Sequence, residues 1–253
     1  MRFITSTYVF ACAMLANLVA SIPSAQDFPM TSLTHTLKTR DANGPSIGKK
    51  FKNSQGTYWN GSKWVGHCLF QDWPQPAGLP YAAVATNLYG NAAYCGSCIK
   101  VTPAGKTGPS KIAMINDQCP DCPNNALDMS PDLYNAVMGN APGRTGISHF
   151  DWEIVQCPIP PSNMKLISKD GASKWHLSLQ IAGTITPVVN VSIKPEGKDW
   201  QVASRRDYNY WELSEGAAGE QPDVRVTCAS GKTVLVNKVK ITSRNIVNAN
   251  GNC

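Results

Sequence analysis

The sequence predicts an all-β protein of two modules in series. Three observations carry this: eight of the nine cysteines, all but Cys12, divide six and two about residue 158, three prolines cluster there, and beyond them apolar residues recur with period two and no helical stretch.

The chain has 253 residues. Arg2 precedes an apolar run from Tyr8 to Val19 (YVFACAMLANLV), and small residues fill Ala20 to Ala25. That order is a secretory signal peptide over 1–25, cut between Ala20 and Ala25. The run is shorter than the ~20 residues a spanning helix needs, so no membrane partner is expected. Removal of the segment leaves roughly 230 residues, enough for two small cores. Cys12 leaves with it. Cys68, Cys95, Cys98, Cys119, Cys122, Cys157, Cys228 and Cys253 remain, and an even count in an exported chain reads as four disulfides.

The net charge of +6 is mild. Lys plus Arg against Asp plus Glu is 10 to 9 over residues 26–158 and 12 to 8 over 165–253, so the second module is the basic one. Only Arg205 and Arg206 adjoin there, which is not the stripe of a nucleic-acid binder. Weak attraction to acidic wall polymers is the milder inference.

Residues 26–55 are polar and poor in apolar groups, and read as a flexible leader. From 56 to 158, short apolar runs broken by Gly, Pro and Asn predict strands at Ala82–Leu88, Cys98–Thr102, Lys111–Ile115 and Trp152–Cys157. One helix is predicted over 131–138, with Ser130 as cap, Pro131 at its first position and Gly139 at its end. Pro158, Pro160 and Pro161 then stiffen a connector whose linker proper is 159–164. Over 165–253 the alternation is clean. Trp175, Leu177, Leu179 and Ile181 share a face, as do Val189, Val191 and Ile193, and Val224, Val226 and Cys228, which together predict a β-sandwich.

Cys95-Gly96-Ser97-Cys98 and Cys119-Pro120-Asp121-Cys122 have the spacing of a zinc ribbon. The exported context and the further Cys68 and Cys157 favour disulfides over zinc or a redox pair, and six cysteines leave 15 pairings open. Of His35, His67, His149 and His176, none adjoins a Ser elbow, so a catalytic triad finds little support. Asp117 and Asp128 are more suggestive, because paired acids in a groove are the tools of glycoside cleavage. The structural alternative for Asp128 is a carboxylate placed at the positive end of the 131–138 helix.

The run Gly56-Thr57-Tyr58-Trp59, then Tyr94-Cys95-Gly96, Asn116-Asp117, Ala126-Leu127-Asp128-Met129-Ser130-Pro131 and Trp152-Glu153-Ile154-Val155, resembles the six-stranded double-psi β-barrel of expansins. Lys169 to Trp175, Pro187-Val188, Asp207-Tyr208-Asn209 and Val224 to Thr227 resemble their carbohydrate-binding, immunoglobulin-like β-sandwich. The resemblance covers about residues 56–245, in order, and implies non-hydrolytic loosening of a cell-wall polysaccharide. The partner it implies is an insoluble glucan such as cellulose, with xyloglucan and chitin as further candidates. It implies no cofactor, metal or nucleic acid, and a chain acting as a monomer.

Carried over by motif, Asp128 matches the family's essential barrel Asp, Asp117 its neighbour in the groove and Thr57 the Thr of the groove floor. Tyr58 and Trp59 supply nearby aromatics. A groove Tyr two places after Asp117 in many bacterial members is Cys119 here. His149-Phe150-Asp151 spells a triplet of plant expansins but falls at the start of the last barrel strand, whereas the plant triplet's Asp aligns with Asp128. The barrel also resembles endoglucanases of glycoside hydrolase family 45, whose Tyr-Trp-Asp supplies a catalytic base. Tyr58-Trp59-Asn60 has an amide there, which argues for loosening over an endoglucanase or lytic transglycosylase with Asp128 as acid. A pure wall lectin is the other alternative.

In the sandwich, Trp175 and Tyr208 match two of three sugar-stacking rings, and His176 stands where a Trp is expected. Strand parity would instead make Trp175 core. Of Tyr210 and Trp211, on opposite faces, one is core. Lys169 is a candidate hydrogen-bond donor to the polymer or a solvated lysine. Asn60-Gly61-Ser62 and Asn190-Val191-Ser192 are glycosylation sequons, and a glycan on Asn60 would crowd the groove.

Overall fold

In a computed structural model, residues 44–105, 108–139, 146–161, 164–213 and 219–253 are described. The expected signal peptide and the leader up to residue 43 lie outside them. β1 (Lys50–Tyr58), β2 (Tyr81–Ala85), β3 (Cys98–Pro103), β4 (Lys111–Cys119), β5 (Leu127–Met129) and β6 (Ser148–Val155) close into a barrel in the order β1-β5-β2-β4-β3-β6. The β1–β5 and β2–β4 pairs are parallel and the rest antiparallel, a double-psi arrangement. Alternation sets its inside. Ile99, Val101, Met114, Ile115, Leu127, Met129 and Ile154 are buried, while Thr57, Asp117 and Asp128 are only partly so.

Sequence patterning missed the barrel's first edge. Residues 50–55, assigned to the leader, belong to β1, because Phe51 stacks on Trp152 with ring centroids 3.9 Å apart and Asp151 holds Lys52 at 2.7 Å and the Asn53 amide at 2.9 Å. Asp151 is thereby a staple of the β1–β6 edge. The apolar run from Ala82 is strand only to Ala85 and then turns into a one-turn helix, α1 (Thr86–Tyr89). β6 begins four residues before the predicted Trp152 and stops at Val155. The predicted helix is α2 (Pro131–Met138), but the Ser130 side chain does not cap it. Its hydroxyl instead accepts from the Tyr81 amide at 3.4 Å, and Gly139 (φ 72°) ends the helix.

The second module packs a five-stranded sheet on a four-stranded one. The first is ordered β11-β12-β8-β7-β15 and the second β10-β9-β13-β14. Their ranges are β7 (Lys165–Ser168), β8 (Ser178–Ala182), β9 (Val188–Lys194), β10 (Gln201–Val202), β11 (Ser204–Arg205), β12 (Trp211–Glu212), β13 (Asp223–Cys228), β14 (Thr233–Val236) and β15 (Ile246–Asn248). Leu177, Leu179, Val191, Ile193, Val224 and Val226 fill the space between the sheets. A bulge pairs Cys228 with Val188, so Val188 is buried where parity assigned Val189.

The disulfides respect the six-plus-two division. Cys68–Cys95, Cys98–Cys157 and Cys119–Cys122 lie in the barrel and Cys228–Cys253 in the sandwich. Cys95 and Cys98 therefore bond to different partners, and the four sulfurs of the zinc-ribbon pattern are all engaged.

Both modules belong to one compact unit. Ile167 and Ala182 of the sandwich join the apolar cluster of the barrel, as does Ile159 of the connector. Polar contacts complete the seam. Gln180 donates to the carbonyls of Cys68 (2.9 Å) and Leu69 (3.1 Å), Asn209 to Cys68 (3.1 Å), and the Tyr89 hydroxyl to the Asp207 carbonyl (2.5 Å). Arg205 donates to the carbonyls of Ala92, at 3.0 Å, and Val188, with its guanidinium 4.3 Å from the Trp211 ring centre. Burial pulls its pKa down to about 10, which still leaves a cation at neutral pH. Tyr210 and Trp211 are both buried, contrary to the expectation of one: Trp211 joins the sandwich core, and Tyr210 lies close to Asp72 of the barrel.

Candidate functional site

Strand register brings the barrel's polar candidates into one row. Thr57 of β1 stands opposite Asp128 of β5, Asp128 opposite Ala83 of β2, and Ala83 opposite Asp117 of β4. Thr57 donates from Oγ1 to Asp128 Oδ1 at 2.6 Å. Two strand spacings separate the carboxylates at the backbone, about 10 Å. Ala83 between them is small and buried, so the row dips between the partly accessible Thr57–Asp128 pair and Asp117, and this dip is the trough.

Asp117 reaches this row through a bulge. Ala82 pairs with Ile115 and Ala83 with Asp117, so Asn116 is the extra residue and points into the protein. Its Nδ2 donates to the carbonyls of Lys63 and Trp64, both at 2.8 Å, and its own carbonyl accepts the Cys68 amide at 3.0 Å. Asp117 Oδ1 accepts the His67 amide at 2.7 Å and the Gln118 amide at 2.8 Å. The 63–68 loop is thus wrapped onto the bulge. Gly66 makes this possible: its φ is +49°, and a Cβ there would lie 2.2 Å from the Asn116 carbonyl oxygen.

Tyr58 and Trp59 leave the end of β1 exposed by 39% and 46%. The Tyr58 ring packs at 4.9 Å on Tyr134, while the Trp59 indole lies over Gly61, where a Cβ would come 2.5 Å from Nε1. Asn60 is exposed in the turn that follows; Asn190 lies within β9, half-buried, with Nδ2 at 3.2 Å from Ser192 Oγ.

On the sandwich, Trp175 is 72% exposed, which removes it from the core despite its phase with Leu177. His176 is exposed in the same turn, where its amide and that of Ser173 bond to each other's carbonyls. Tyr208, between β11 and β12, turns its hydroxyl to Glu212 Oε1 at 2.7 Å, and Lys169 Nζ lies 5.7 Å from its ring centre. Lys169 is therefore packed against the aromatic. Glu212, buried, also accepts Ser178 Oγ at 2.9 Å and Arg206 Nε at 2.7 Å. Burial raises its pKa, but the hydrogen bonds from Tyr208, Arg206 and Ser178 and the charge of Arg206 outweigh that and hold it below 4.5. Burial and the Glu212 contact push the Tyr208 phenol up to about 12, so it stays a donor.

Asn116, His67, Gly66 and Glu212 were not singled out as site residues from the sequence. Only the adjacency of Asn116 to Asp117 offered a signal; the bulge and the Tyr208–Glu212 return are tertiary.

These features define a two-module barrel-and-sandwich protein with an acid-bearing trough on one module and exposed rings on the other. No family model matches the chain. Expansin-like protein 5 of Dictyostelium discoideum is 30% identical over 190 residues, 72% of this chain and 76% of that protein. Expansin-like protein 1 of the same organism is 27% identical over 189 residues, 71% of this chain. The chain spans 64% of that relative's length and 56% of expansin-like protein 3's. The solved expansin of Clavibacter michiganensis superposes with a TM-score of 0.67 at 25% identity, covering 81% of this chain and 98% of that one. The chain belongs to the expansin-like family.

Proposed function

We propose that the protein binds an insoluble wall-type glucan, cellulose or an associated polymer, across both modules and loosens it without net bond cleavage. The observation that carries this is the row of Thr57, Asp128 and Asp117, all partly accessible, with an exposed Trp175 and a half-buried Tyr208 on the module seamed to it. A mutant of the Clavibacter expansin has been solved with cellohexaose, which supports a β-glucan as the class of ligand.

Asp128 hydrogen-bonds the sugar chain and competes with its neighbours in the polymer, with Thr57 fixing the carboxylate's direction. Hydrolysis by inversion needs a second acid positioned to activate water. One oxygen of Asp117 already accepts two backbone amides, and Asn60, in the turn after β1, is an amide. Both weigh against cutting. Trp175 and Tyr208 stack on sugar faces and hold the protein on the polymer.

The test pairs insoluble-polymer pull-down and wall creep with a reducing-sugar assay. Wild type should bind cellulose, extend walls and release no reducing ends. Asp128→Asn should keep binding and lose creep; Trp175→Ala with Tyr208→Ala should lose binding. Reducing ends or anhydro-sugars that vanish in Asp128→Asn would make it an endoglucanase or lytic transglycosylase, and creep unchanged in that variant would make it a lectin. The same reading makes the protein an exported monomer, with glycans on Asn60 and Asn190 where the host attaches them. Intact mass before and after deglycosylation, with sedimentation, checks these points.

A further inference from the structure

We infer that His67 is a sugar-contacting residue at the joint of the two modules, bridging the barrel trough to the aromatic platform and setting how long a glucan must be to engage both. This rests on the function proposed above and names a subsite within it.

Two contacts hold this residue, and two more tie its neighbours to the turn that carries Tyr208. Its amide donates to Asp117 Oδ1 at 2.7 Å, which puts it at the Asp117 end of the acid row. The next carbonyl, of Cys68, accepts from Asn209 at 3.1 Å, and Asn209 is the neighbour of Tyr208. The imidazole meets the Tyr89 ring edge-on, with centroids 5.5 Å apart. Tyr89 in turn donates to the carbonyl of Asp207, the residue on the other side of Tyr208. The turn that carries the platform ring is therefore tied to both flanks of His67, and the groove acid to its backbone.

The ring itself is exposed, in a loop fixed by the Asn116 clamp, the Gly66 backbone and the Cys68–Cys95 bridge. Its ring nitrogens make no protein hydrogen bond among the described residues, whereas its amide is committed to Asp117. A flat ring with a donor and an acceptor, held still at the crossing point, suits a pyranose that presents both an apolar face and hydroxyls. It also supplies a ring near Asp117 in a chain that has Cys119 two positions on.

The experiment measures affinity for cello-oligomers of two to six sugars by calorimetry, for wild type, His67→Ala and His67→Phe. In wild type, affinity should climb with length as the oligomer extends from platform to trough. His67→Ala should flatten that climb, weakening the hexamer by about five- to tenfold while leaving the shortest bound oligomer unchanged. His67→Phe, which keeps the flat face, should recover part of the loss. A hexamer bound equally by wild type and His67→Ala overturns the inference, as does a loss equal at every length. If wild type binds no cello-oligomer, the glucan reading itself falls, and the assignment of His67 with it.

Discussion

Thr57 and Gly66 illustrate how little chemistry holds the trough in shape. Thr57→Val removes a hydroxyl that directs Asp128. The expected cost is about 1 kcal/mol in a urea titration, with creep activity falling more than stability. Gly66→Ala faces both a left-handed backbone and a contact with the Asn116 carbonyl, so it should destabilise by more than ~2 kcal/mol. Hydrogen exchange should report faster exchange of the His67 amide in that variant. Glu212 gives the residue scale its pH dependence. Its pKa is lowered in the folded protein, so its contribution to stability is fully present above 4.5 and is lost as pH falls through the lowered folded value. Thermal melts between pH 3 and 6 should fall more steeply for wild type than for Glu212→Gln.

The strand elements divide into those whose pattern is local and those decided by a partner. β13 alternates cleanly and was legible, as was α2, announced by Pro131 and closed by Gly139. The first half of β1 was not, because Lys50 to Gln55 is polar except for Phe51 and owes its strand to Trp152 and Asp151 about a hundred residues away. Asp117 and Asp128 were legible as residue types, but their alignment with Thr57 depends on the β4 bulge, which no local pattern announces. Trp175 was legible as an exposed ring from its motif, against strand parity: it belongs to the turn before β8, where alternation no longer decides which way a side chain faces. Among the bridges, Cys98–Cys157 ties β3 to the residues just past β6 across 59 positions. Replacing both cysteines with Ser should cost about 4 kcal/mol on loop-closure grounds, whereas opening Cys119–Cys122 should cost about 1.6. Denaturant midpoints of the two double variants should separate accordingly.

At the scale of the whole molecule, Arg205 is the test of whether the modules behave as one body. It touches a barrel carbonyl, a sandwich carbonyl and the Trp211 ring, so Arg205→Ala should weaken the seam by about 2–3 kcal/mol. Calorimetry should then resolve two melting transitions where wild type gives one, and proteases should cut the proline connector sooner.

The seam also has a mechanical meaning. Its hydrogen bonds through Gln180, Asn209, Tyr89 and Arg205 all cross from one module to the other, so sliding one past the other strains several at once. A glucan held by the rings and reaching the acids would pull on both modules as one body, with no slack at the joint. Swelling in the wall would then be felt at Asp128.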